Sequence, residues 1–193
     1  MKAVYACALG ATGLGLPEFD LVAPRSEHAL TGSPRLRLRP MLPHDALPLA
    51  QLFTGLSLAS RRSRFHGALN LSLAQVQRMC HPDPGRELAL VVSLEGDNAE
   101  HILVAEGRSV ADAEGRQCEC ALLVHEAWRR RGIGTWVMQA IQSMARRAGR
   151  QRLVGDVLRD NVPMLALLRQ LGFTFASHPE ESRLVQARLE LTN

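Results

Sequence analysis

The strongest constraint on the fold is a change in how consecutive apolar segments are joined between residues 87 and 191. Three strand-like runs come first, Glu87–Leu94, His101–Val110 and Gln117–Val124. Only short turn-forming stretches separate them: Glu95-Gly96-Asp97-Asn98 and Asp112-Ala113-Glu114-Gly115. Such connections make an antiparallel meander. Strands and helices then alternate. Gly132–Ala148 carries Ile133, Val137, Ile141 and Met144 on one helical stripe, and Gly149 stops it. Arg152–Leu158 reads as a strand. Asn161–Leu171 reads as a helix capped by Asn161, with Pro163 in its first turn. Phe173–Ser177 and Arg183–Leu191 close the chain as strands. Short turns pair strands antiparallel, whereas a helical crossover allows a parallel pair.

The first part of the chain adds one strand and three helical segments. Arg35-Leu36-Arg37-Leu38-Arg39 alternates strictly, and Pro40 ends it. Pro43–Leu56 and Ser72–Cys80 have helical spacing, and Ser57–His66 is an Arg-rich helix or turn. The order is β-α-α-α-β-β-β-α-β-α-β-β. This predicts an α/β (α+β) fold with a mixed, mostly antiparallel, twisted sheet of about seven strands flanked by helices. Residues 1–34 are rich in Gly, Pro and Ser and read as a flexible extension, so the folded domain is expected over 35–193.

Composition narrows the function classes. The 193 residues carry 22 arginines and one lysine, Lys2, with a net charge of +4. Arg suits planar recognition of phosphate and carboxylate. A nucleic-acid binder is therefore one reading, but aromatic residues are only 4% of the chain, which leaves little material for stacking bases. Cys7, Cys80, Cys118 and Cys120 include no Cys-x-x-Cys pair, so neither a metal site nor a disulfide scaffold is expected, and a reducing cytoplasm fits. No run of about 20 apolar residues is present, so no membrane span is expected.

The stretch that carries chemistry is Val124-His125-Glu126-Ala127-Trp128-Arg129-Arg130-Arg131-Gly132-Ile133-Gly134-Thr135. A strand ends, a short basic loop follows, and a helix starts at the glycines. Helix N-termini expose unpaired N–H groups at the positive end of the dipole and attract phosphates. Gly132 and Gly134 let backbone come close to such a group. Arg129, Arg130 and Arg131 add charge beside it. The spacing matches neither a dinucleotide fingerprint nor a nucleotide P-loop.

Arg129-x-x-Gly132-x-Gly134 resembles the acetyl-CoA signature of the GNAT acyltransferases. Asn161-x-x-Met164-x-x-Leu167-x-x-x-Leu171-Gly172-Phe173 is similar to the second motif of that superfamily. The likeness spans Arg35 to Leu191. Leu56-Ser57-x-x-Ser60-x-x-x-Arg64-Phe65-His66-Gly67 and Gly155-Asp156-Val157-Leu158 further resemble the acyltransferase domain of Pat-type protein lysine acetyltransferases.

The resemblance implies acetyl-CoA as cosubstrate, bound where Gln117–Val124 and Arg152–Leu158 splay apart. Backbone amides of Arg130, Arg131, Gly132, Ile133, Gly134 and Thr135 would hold its pyrophosphate. Leu122 and Val124 would pair their backbone with pantetheine. Arg129 and Arg131 either touch phosphate or form a solvated turn. Asn161 either bonds pantetheine or only caps its helix. Arg64 and His66 fall in the segment that would line the acceptor side.

Glu119 is the candidate general base. It interrupts an apolar strand, where desolvation would raise its pKa, and a Glu holds the matching place in the Pat-type pattern. Its alternative is an ion pair with a neighbouring arginine. The position of the tyrosine found in many members is Leu168 here, so no tyrosine acid is expected. The resulting expectation is an N-acetyltransferase acting by direct attack of a protein lysine or small amine, with a homodimer as a further expectation. A non-catalytic acyl-CoA-binding module is the main alternative.

Overall fold

The computed structural model describes residues 35–65, 71–95 and 102–191. The proposed extension over 1–34, the side chain of His66 and the turn residues 96–98 lie outside the described residues. The strands are β1 (Arg35–Pro40), β2 (Glu87–Glu95), β3 (Leu103–Ala111), β4 (Gln117–Val124), β5 (Arg152–Leu158), β6 (Thr174–Ser177) and β7 (Leu184–Glu190). The helices are α1 (Ala46–Thr54), α2 (Leu58–Phe65), α3 (Leu73–Met79), α4 (Ile133–Arg147) and α5 (Val162–Gln170). This is the element order anticipated from the hydrophobic pattern.

The seven strands form one sheet in the order β1-β2-β3-β4-β5-β7-β6. The β2-β3-β4 meander is antiparallel, as its short connections require. The helical crossover through α4 returns β5 parallel to β4, and β5 and β7 are antiparallel. A mostly antiparallel sheet with a single parallel joint at its middle is the result.

Strand alternation sorts side chains to two faces. On one face Leu88, Leu90, Cys118, Leu122, Leu153 and Val157 pack with Ile133, Val137 and Ile141 of α4. On the other, Ala89, Val91, Leu103 and Leu123 pack with Leu49, Leu52 and Phe53 of α1 and Val76 of α3. Local signals set the helix ends. Ser72 caps α3 by accepting from Gln75 N at 3.3 Å, while the Gln75 side chain accepts from Ser72 N at 2.7 Å. Gly149 terminates α4 with φ +71°.

The α4 stripe lies directly on β3 at Gly107. A Cβ there would come within 2.3 Å of Val137 Cγ1 and 3.1 Å of Ile141 Cδ1. The fully buried Val137 cannot move aside. Gly107→Ala is therefore expected to destabilise the fold by about 1–3 kcal/mol through overpacking, read as a lower denaturant midpoint with unchanged slope.

Candidate functional site

The sheet has one gap, and it falls at the parallel joint. β4 pairs with β5 only through Gln117–Arg152, Cys118–Leu153 and Glu119–Val154. Beyond these three pairs the strands part. His125 N donates to Val104 O at 2.9 Å, so in the antiparallel β3-β4 ladder the odd-numbered residues of β4 bond toward β3. The backbone groups of Leu122 and Val124 consequently face the gap. Gly155 lies at its apex, where a Cβ would meet Cys120 O at 3.0 Å. Close backbone approach at that point needs glycine.

The start of α4 borders the open end. Gly134 sits against Leu122 and Val124 of β4 and Leu167 of α5, with Leu167 Cδ2 only 3.1 Å from a Cβ placed there. Ahead of it, Arg130 adopts φ 65° and Gly132 φ 77°. Arg130 is the only non-glycine with positive φ among the described residues. Such strain persists where the surroundings impose it. Left-handed residues in a tight turn gather successive N–H groups into an anion-binding concavity. No side chain caps the first turn of α4, and a Cβ at Gly132 would meet nothing within 4 Å. The donors and the room therefore fit a diphosphate. Arg131 stacks over the Trp128 ring at 4.8 Å, and all three arginines of the loop are exposed.

The structure assigns several predicted side chains to particular partners. Arg129 Nε donates to Val124 O at 3.1 Å and its Nη2 to Ser60 Oγ at 2.6 Å. Asn161 Oδ1 accepts from Met164 N at 3.3 Å, so it caps α5, which leaves its amide nitrogen for other use. Leu168 is buried. Glu126, unremarked in the sequence, accepts from Ser57 N at 3.0 Å and Ser57 Oγ at 2.7 Å. Partial burial raises its pKa, but hydrogen bonds from Ser60 and Ser57 outweigh this and bring it to about 2.

Glu119 lies on the α1–α3 side of the sheet, the face of Leu123, and its side chain is exposed. The buried carboxylate of this face is Glu106 on β3, with none of its side chain exposed. Arg64 of α2 donates to it at 3.1 and 3.3 Å, and Arg108 Nε bonds its other oxygen. Burial raises the Glu106 pKa, but the charges of Arg64 and Arg108 and their hydrogen bonds more than compensate, and the net direction is down. Arg64 thus holds α2 onto the sheet. The only trace of this pair in the sequence is a lone acid in an apolar strand, a pattern that Glu119 shares.

A family profile, described as the Acetyltransferase (GNAT) family, matches residues 61–173. The chain belongs to the GNAT acetyltransferase family. Acetyl-CoA is accordingly its cosubstrate, and its activity is acetyl transfer. Acetyltransferase PA5475 of Pseudomonas aeruginosa is 29% identical over 155 residues, covering 80% of this chain and 83% of that protein. The GNAT domain of S. lividans PAT superposes with a TM-score of 0.71 at 25% identity, over 81% of this chain and 90% of that one. The fold is shared with yncA of Salmonella typhimurium, solved with its cofactor acetyl-CoA, at a TM-score of 0.66 and 15% identity over 82% and 95% of the two chains. Among the described residues, no helix of this GNAT protein is long and apolar enough to cross a membrane.

Two outcomes follow. Gly132→Ala forces a Cβ onto a left-handed residue, at about 1–2 kcal/mol of stability, and weakens coenzyme A binding about tenfold or more in a calorimetric titration. The folded Glu126 carboxyl, at about 2, lies below its ordinary value of 4.5. Its stabilisation is therefore present above pH 4.5 and lost as the pH falls through about 2. The unfolding free-energy difference between the native chain and Glu126→Ala should shrink to zero over that interval.

Proposed function

We propose that this GNAT protein moves the acetyl group of acetyl-CoA to a primary amine, on a protein lysine or a small molecule, by direct attack in a ternary complex with Glu119 as general base. The observation that carries the reading is the place of Glu119 at the last β4–β5 pair before the gap opens, on the face opposite α4. A coenzyme whose diphosphate rests at the start of α4 and whose arm follows Leu122 and Val124 would bring its thioester toward that apex. Bound acetyl-CoA supplies an acetyl group already activated as a thioester.

Each remaining role falls to the chain's own residues. The amides from Arg130 to Thr135 hold the diphosphate, and Arg131 lies beside it. The Leu122 and Val124 backbone takes the pantetheine amides in the manner of an added strand. The Asn161 amide nitrogen adds a donor at the far wall. The exposed Glu119 carboxylate takes a proton from the incoming amine, directly or through one water. The leaving thiolate has an intrinsic pKa near about 8.5 and accepts a proton from water or from the acceptor, since no tyrosine stands at Leu168.

Direct attack is favoured over an acyl-cysteine route by the state of the thiols. Burial pushes Cys120 up to about 12 and Cys80 up to about 11, and it also raises Cys118. Thiols that stay protonated are poor nucleophiles. On the acceptor side, Arg61 donates to Leu56 O and Thr54 O, Arg64 is held by Glu106, and Arg62 faces Asp160 at 3.7 Å. Glu106 and Asp160 offset two of these three positive charges, so the wall does not select the acceptor by charge alone.

Glu119→Gln is expected to lower kcat by about 10²–10⁴-fold with coenzyme A affinity unchanged. Thiol release across a panel of small amines and lysine peptides, beside a calorimetric titration, reads both quantities. Intact turnover in that variant removes Glu119 as the base.

A further inference from the structure

We infer that Glu126, Arg129, Ser57 and Ser60 form a strut between the phosphate-binding loop and α2, so that Arg129 is a positioning residue for the acceptor wall and not a phosphate ligand. The inference rests on the coenzyme site proposed above and assigns four side chains of that site's surroundings.

α2 has one apolar anchor, Phe65 at its last turn, which packs edge-on against Phe53 of α1 at 5.3 Å. It is eight residues long, reads Leu-Ala-Ser-Arg-Arg-Ser-Arg-Phe, and Ser60 is its one buried residue. Ahead of Phe65, polar contacts fix its position. At its far end Arg64 reaches Glu106. At its start Ser57 Oγ accepts from Ser60 N at 3.2 Å, the pattern of a helix cap. The Glu126 carboxylate, 69 residues away in sequence, binds both the N–H and the hydroxyl of that cap residue. It brings a negative charge to a helix N-terminus.

Arg129 completes the link. Its Nη2 reaches the buried Ser60 hydroxyl, and Glu126 Oε1 lies 3.9 Å from the same nitrogen. Its Nε holds the carbonyl of Val124, whose backbone faces the gap between β4 and β5. One guanidinium thus joins the backbone edge offered to the coenzyme with the interior of the acceptor-side helix. Turning it toward a phosphate would break both charge-assisted hydrogen bonds. A coenzyme that orders the loop and the Val124 edge should order the start of α2 as well, and through α2 the wall carrying Arg64.

Amide hydrogen exchange on the full chain, with and without coenzyme A, tests this. In the native protein coenzyme A should slow exchange in residues 130–135 and, by about tenfold, in residues 57–65. In Ser60→Ala and Glu126→Ala the slowing at 130–135 should persist, while that at 57–65 falls below about threefold. Arg129→Ala and Arg129→Lys should lose it equally, because a lysine keeps the charge but cannot bridge two acceptors. Restoration by lysine, together with a salt dependence of coenzyme A binding that Arg129→Ala flattens by about one charge, would mark Arg129 as a phosphate ligand and overturn the inference. Slowing at 57–65 that survives all four substitutions would overturn it too. Native protection at 130–135 without any at 57–65 contradicts the strut alone. No native protection at 130–135 contradicts the coenzyme site itself, and the strut with it.

Discussion

Everything distinctive in this molecule follows from the point where β4 and β5 stop pairing. Three parallel pairs, ending at Glu119–Val154, join a four-stranded antiparallel half to a three-stranded one. Beyond them the two strands keep their other neighbours, β3 on one side and β7 on the other, and so diverge as ordered backbone. The hydrogen-bonding groups of Leu122 and Val124 are left facing the gap. A buried sheet tolerates such groups only where another partner replaces the strand. The glycines at 134 and 155 fit the same geometry. One lets the helix start come against the diverging strand, and the other lets the backbones touch at the apex.

The two faces of the sheet are held by different physics. On the α4 side a long amphipathic helix buries Ile133, Val137 and Ile141 against β3 and β4, and packing defines its position. The left-handed turn at Arg130 and Gly132 sits at its start. On the other side the helices are short, and charge does part of the holding. Arg39 grips the fully buried Asp45 at 2.7 Å, and Arg64 and Arg108 enclose Glu106. Breaking such a pair from one side costs about 3–5 kcal/mol, because an unpaired buried charge remains. Position on this face is thus specified by a few directional contacts.

Much of the fold was legible because its signals are local. The bounds of β4 and β5, the α4 stripe, the Asn161 cap and the glycine stops depend on residues within a turn or two of each other. The turn at Arg130–Gly132 and the helix start behind it were legible for the same reason, their residues being consecutive. Alternation along β4 placed Glu119 on the correct face but carried no information about what covers that face. In the structure the Glu119 side chain is exposed. Glu106 was hidden in the strand-like run His101–Val110, and its partner Arg64 is 42 residues away. The bond from Ser57 to Glu126 spans 69 residues. Contacts of that range leave no periodic trace in one sequence.

The central claim is that the gap between β4 and β5 receives acetyl-CoA, with the diphosphate at the start of α4. A crystal structure with coenzyme A tests it most directly. The account predicts density for the diphosphate against the amides of residues 130–135, and for pantetheine along Leu122 and Val124, ending beside Glu119. Coenzyme A bound outside the gap, or in it with the diphosphate away from Gly132, would contradict the account.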